Sequence, residues 1–130
     1  MRAALWPGAL VEHDAETRRY FETRADTPVV FLAETSGRIA GFLELDFRKY
    51  APGCSSSPVP FIEGWYVDPE QRGHGIGRAL MEAAEAHARA AGHHEIGSDA
   101  ELENVDGIAA HLAVGFEEVE RTVCFRRSLR

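Results

Sequence analysis

The segment Arg72-Gly73-His74-Gly75-Ile76-Gly77 constrains this chain more than any other, because its glycines alternate between a strand-like run and a helix-like run. Ahead of it, Phe61 to Val67 reads as a strand, broken by Asp68-Pro69-Glu70. Behind it, residues 76–91 read as a helix. Ile76, Leu80, Ala84 and Ala88 recur near helical spacing, and Gly92 suits the stop. Glycines let a backbone approach a ligand with no Cβ in the way. The start of a helix turns its open N–H groups and positive dipole end toward the preceding loop. Such a loop suits an anion of pyrophosphate type, with Arg72 and Arg78 adding charge. A loop tightened only for packing would carry the same glycines. A Walker loop requires Gly-Lys-Ser/Thr at the helix start, where Gly77-Arg78-Ala79 stands instead. A dinucleotide fingerprint belongs in the first βαβ unit of a parallel sheet, and here a hairpin comes first.

That hairpin is read from Val29–Glu34, a turn at Thr35-Ser36-Gly37-Arg38, and a return strand Ile39–Leu45. Residues 14–24 are expected to be helical, with Asp14 as N-cap and Tyr20-Phe21 on the buried side. A Pro/Gly/Ser-rich loop follows at 48–60. Glu95–Ser98 reads as a short strand, 104–114 as a helix ended by Gly115, and Phe116–Arg127 as one or two closing strands. Antiparallel strands followed by a βαβ crossover give an α+β or mixed α/β fold, with a central sheet flanked by helices.

At 130 residues the chain suits one domain over 1–130, and 45% hydrophobic content is ordinary for a core of that size. No run reaches the roughly 18 apolar residues of a membrane span, and Pro7 breaks the N-terminal segment too soon for a signal peptide. The expectation is a cytoplasmic protein with no membrane partner. Cys54 and Cys124 lie in no paired motif and read as free thiols. The 6 histidines show no metal-binding spacing, so no metal is expected. The 14 basic and 21 acidic side chains leave a net charge of −7. That balance argues against nucleic acid and is compatible with a cationic substrate.

The loop from Arg72 to Gly77 matches the Arg/Gln-x-x-Gly-x-Gly/Ala signature, and on it the chain resembles the GCN5-related N-acetyltransferases. Phe61–Val67, Ser98–Asn104, and His111–Phe116 with Glu118–Arg121 resemble one branch, the bacterial aminoglycoside 6′-N-acetyltransferases. The likeness covers nearly the whole chain. It implies acetyl transfer from acetyl-CoA to an amine of a cationic acceptor, an aminoglycoside above all. It also implies that Trp65, Tyr66 and Val67 present backbone groups to the pantetheine arm. Gly73, His74, Gly75, Ile76, Gly77 and Arg78, with Arg72, would hold the pyrophosphate. Asn104 would bind the pantetheine chain, and His111 stands where many relatives carry a tyrosine near the thiol. The same resemblance carries acceptor binding to Trp6, Tyr50, Glu63, Asp99 and Glu120, and it implies a homodimer.

These residue types suit the chemistry. Acetyl transfer needs a neutral amine, an attack geometry and relief of the oxyanion charge. Glu63, just before the loop, is the candidate base or water-positioner, although a strand glutamate also serves as an ion-pair partner. His111 is able to protonate the departing thiolate, or to sit on a helix surface. Carboxylates and flat aromatic walls suit a polycationic sugar. Trp6 fits a core equally well, Asp99 a helix cap, and Glu120 a solvated strand.

One departure from the family pattern stands out. Met1–Pro7 resembles the first helix, so the family's first strand is expected to be missing, which would leave a sheet edge open for a partner chain. Another amine acceptor, or a CoA-binding module without turnover, is the alternative reading.

Overall fold

The computed structural model describes residues 27–129 and the backbone of Ala4–Pro7. The helix expected at 14–24 lies outside the described residues. The elements are β1 (Ala4–Pro7), β2 (Val29–Thr35), β3 (Arg38–Arg48), β4 (Val59–Val67), α1 (Ile76–Ala90), β5 (Gly97–Ser98) and α2 (Val105–Ala113). A short 3₁₀ turn, Pro69–Gln71, follows β4. By its contacts the chain divides into two compact units, Met1–Asp99 and Ala100–Arg130.

The first unit is a five-stranded sheet in the order β1-β2-β3-β4-β5. All neighbours are antiparallel except β4 and β5, which run parallel on either side of α1. The mixed α/β architecture anticipated from the sequence is therefore present, with the βαβ crossover in place. The β2–β3 hairpin closes through Ser36 and Gly37, with φ of 51° and 76°. Positive φ at both central residues matches the strand twist, which is why a two-residue turn suffices.

One face of the sheet carries the core. Val29, Phe31 and Ala33 alternate inward along β2, and Leu43 and Leu45 do so along β3. On α1 the buried residues are Ile76, Leu80, Met81, Ala84 and Ala88, the spacing read from the sequence. His87 of α1 meets Phe31 edge-on at 5.7 Å, and this burial holds its imidazole below the ordinary histidine range. A second cluster, Ala51, Val59 and Phe61, packs under the loop after β3 with Cys54 against it. Burial there pushes the Cys54 thiol up, and Cys124 is exposed; both are free thiols.

Two sequence expectations fail. Residues 4–7 are not helical: they form a strand that pairs with Phe31–Glu34 and lines that edge of β2. Backbone pairing along β2 wins over helical propensity in so short a segment, which is below the length at which an isolated helix persists. Phe116–Arg127 forms no strand. A strand needs a ladder partner, and the described part of the second unit contains only α2. The segment instead makes local contacts, such as the Arg121–Glu118 ion pair at 2.9 Å. No helix among the described residues is long and apolar enough to cross a membrane.

The approach of β3 to β4 is closest at Gly41, where an added Cβ would lie 2.6 Å from the Tyr66 carbonyl oxygen. That oxygen is backbone, so it cannot swing away. Gly41→Ala is expected to lower stability by about 1–3 kcal/mol, read as a reduced urea midpoint with unchanged slope.

Candidate active site

The glycine loop begins where β4 ends. Arg72 donates from Nε to the Val67 carbonyl at 3.1 Å, and His74 Nδ1 lies 3.1 Å from the Gln71 carbonyl. A carbonyl only accepts, so the His74 proton sits on Nδ1. These bonds tie the loop back onto the strand. Gly73 and Gly75 have φ of 85° and 81°, and nothing lies within 4 Å of where a Cβ would stand. Their requirement is conformational rather than steric. Gly75 is the N-cap of α1 and offers no side-chain acceptor; the first turn holds no acidic residue. A helix start with no side-chain cap presents backbone donors of the kind an anion requires. Behind the loop, Trp65 Nε1 donates to the Gly77 carbonyl at 3.1 Å, fixing the helix start against β4.

The strand itself is irregular at the point of interest. Glu44 faces Gly64 and Leu45 faces Ile62, so Glu63 is an additional residue, bulged out of the ladder. The β4–β5 ladder consists of Phe61–Gly97 and Ile62–Ser98, while β4 continues past it to Val67. Trp65, Tyr66 and Val67 therefore lie on the stretch of β4 beyond the end of β5.

Glu63 accepts two hydrogen bonds from Arg48, from Nε at 2.8 Å and Nη2 at 2.7 Å. The fork is bidentate, and the Arg48 guanidinium also lies 3.6 Å from the centroid of the Phe61 ring. The hydrogen bond to Glu63, followed by the charges of Glu63, Asp99 and Asp46, holds Arg48 above the ordinary arginine range. Arg48 thus brings Glu63 and Asp99 into one charge cluster. Glu95 accepts from the Ser55 and Ser56 amides at 2.8 and 2.6 Å, and from Ser56 Oγ. These bonds tether the loop after Tyr50 and lower the Glu95 pKa, the Ser56 hydroxyl first among the causes. Tyr50 itself is 69% exposed.

Other predicted residues fall elsewhere. Trp6 stands in β1, whose backbone is three strand spacings from β4, roughly 14 Å at the usual separation. In the second unit, Asn104 is the N-cap of α2 and its Oδ1 accepts from Gly107 N at 2.9 Å. That bond uses one of the two lone pairs of Oδ1; the amide nitrogen is the donor of this side chain. His111 Nδ1 lies 2.6 Å from the Gly107 carbonyl, one turn earlier, and its ring meets Phe116 edge-on at 5.3 Å. The proton on Nδ1 leaves the lone pair of a neutral ring on Nε2. Glu120 accepts from Thr122 Oγ1 at 2.9 Å. Sequence reasoning missed Arg48. The alternation of Asp46 and Arg48 with Phe47 puts the two charges on one face of β3, but the bulge that presents Glu63 to them has no local signature.

A glycine loop at the start of a helix, following a strand that carries a bulged carboxylate, suits a transferase that holds a phosphorylated carrier. The model of the acetyltransferase (GNAT) family matches residues 1–116, and the chain belongs to this family. Among curated proteins, it is 43% identical to the aminoglycoside N(6′)-acetyltransferase type 1 of Klebsiella aerogenes, over 99% of this chain and 87% of the relative. It is 46% identical to the protein of the same description from Stenotrophomonas maltophilia, over 99% of this chain and 84% of the relative. The solved structure of AAC(6′)-Iy with the bisubstrate analogue CoA-S-monomethyl-acetylneamine is similar, with a TM-score of 0.82 and 29% identity. That match covers 99% of this chain and 100% of the other. AAC(6′)-Ih from Acinetobacter baumannii gives a TM-score of 0.80 at 29% identity, covering 98% of this chain and 99% of the other.

Gly75→Ala forces a left-handed backbone on a residue with a Cβ. It is expected to cost roughly 1–2 kcal/mol of stability and to weaken binding of inorganic pyrophosphate, measured by calorimetry.

Proposed function

We propose that this acetyltransferase moves the acetyl group of acetyl-CoA to the 6′-amine of an aminoglycoside, as one domain over 1–130 working in the cytoplasm. The observation that carries this reading is the placement of an anion cradle and an acidic cluster at one strand, β4. The uncapped start of α1 suits the pyrophosphate, with Gly73–Arg78 as its lining. Glu63 and Asp99, both within the charge cluster of Arg48, suit an ammonium group. The likeness over nearly the whole chain to aminoglycoside N(6′)-acetyltransferases, and to AAC(6′)-Iy in complex with a CoA-linked acetylneamine analogue, supports both halves.

The chemistry follows from the residues. The acceptor arrives as an ammonium ion, drawn to the Glu63 and Asp99 carboxylates. Glu63 takes its proton, directly or through a water. The neutral nitrogen then attacks the thioester carbon; the C–N bond forms first, giving a tetrahedral oxyanion, and the C–S bond breaks as that oxyanion collapses and the nitrogen gives its second proton to solvent. Backbone N–H groups of Trp65–Val67 relieve the oxyanion charge. The departing sulfur needs one proton. With Nδ1–H committed to the Gly107 carbonyl, His111 donates only as an imidazolium, through Nε2. Asn104 binds the pantetheine chain through its side-chain amide. Tyr50, Trp6 and Glu120 are proposed as further acceptor-binding residues, the aromatics as walls and the carboxylate as a counter-charge.

A homodimer is part of the same proposal. Val123, Phe125 and Leu129 are exposed in a segment that forms no strand, and a partner copy would cover them. Light scattering is expected to give twice the mass of one chain.

The central test is thiol release from acetyl-CoA. Kanamycin-type acceptors are expected to give rapid release. Glu63→Gln is expected to lower kcat by about 10²- to 10⁴-fold, the usual worth of general base catalysis. Full turnover in that variant would remove Glu63 from the proton transfer, and silence with every aminoglycoside would move the acceptor to another amine.

A further inference from the structure

We infer that Arg48 is a built-in countercation for the acceptor site, which the incoming ammonium must displace and which thereby selects polycationic over monocationic amines. The inference rests on the acceptor reading above. Its geometry stands in one unit, on β3, β4 and the end of β5. The guanidinium holds both Glu63 oxygens, at 2.8 and 2.7 Å, and lies face-on to Phe61. Asp99 and Asp46 act on the same charge. Arg48 thus fills the position among carboxylates where a substrate ammonium is wanted.

The physical consequence is competition. A carboxylate that has given both oxygens to a planar fork has none left for an ammonium until the fork leaves. The side chains of Arg48 and Glu63 are 41% and 31% exposed, so the pair sits at the surface and is not locked. Partly solvated pairs of this kind are weak enough to be exchanged. A monoamine offers one charge for the one it displaces and gains little. An acceptor with several ammonium groups replaces Arg48 at Glu63 and also engages Asp99. Arg48 is therefore a specificity residue that acts through Glu63, and it touches no reacting atom.

The test uses Arg48→Met, which keeps an apolar stem over Phe61 and removes the charge, beside Arg48→Lys, which keeps a charge. Thermal melts check that each variant folds. In Arg48→Met, KM for a simple primary monoamine is expected to fall by about three- to tenfold, with a smaller change for a kanamycin-type acceptor. The kcat for either acceptor is expected to change little, because the fork has left before chemistry. Arg48→Lys is expected to restore most of the discrimination. Unchanged or raised KM for the monoamine in a folded Arg48→Met would overturn the inference. If the wild-type protein turns over no aminoglycoside at all, the acceptor reading fails first, and the two failures are told apart.

Discussion

The irregular pairing of β4 is the constraint on which the rest depends. One extra residue, Glu63, is inserted where Glu44 and Leu45 face Gly64 and Ile62. A bulge bends its strand and re-aims the side chain it carries. Here Glu63 meets the Arg48 fork across the strand pair. Beyond the bulge, β4 runs on past the two-residue ladder with β5 and delivers the chain to the glycine loop. The acidic cluster is a consequence of that single inserted residue.

The packing behind the site keeps the bulge in place. Gly41 lets β3 approach the Tyr66 carbonyl where a Cβ could not. Trp65 spans from β4 to the Gly77 carbonyl, and Arg72 returns from the loop to the Val67 carbonyl. Each is a single hydrogen bond of modest worth, about 1 kcal/mol. Together they fix the start of α1 relative to β4, so the helix end keeps one orientation toward the loop. Preorganised dipoles of this kind act without a cost of reorientation at the moment of binding.

The electrostatics of the first unit are less uniformly acidic than a net charge of −7 suggests. Arg48 stands among Glu63, Asp99 and Asp46 and neutralises part of their mutual repulsion. Glu95 spends its charge on the amides of Ser55 and Ser56 and so orders the loop that follows Tyr50. Carboxylates in this protein thus have distinct tasks, set by their neighbours rather than by their number.

Much of this was legible in the residues. The period of Ile76, Leu80, Ala84 and Ala88 fixed α1, because apolar residues at that spacing share one helical face. The turn at Ser36-Gly37 fixed the hairpin, because positive φ is tolerated at few residue types. The glycine loop announced an anion site, since local backbone geometry and a helix start are enough to make one. The family signature identified the class of transferase. What depended on partners far along the chain was not legible. Four residues at Ala4–Pro7 form a strand only because β2 lies beside them, and Phe116–Arg127 forms none for want of a neighbour. The Arg48–Glu63 fork joins positions 15 apart through a register that a bulge decides. Sequence by itself determined the elements and the cradle, which are local. Only the tertiary structure decided which charges meet, because strand register is a property of the pair and not of either strand.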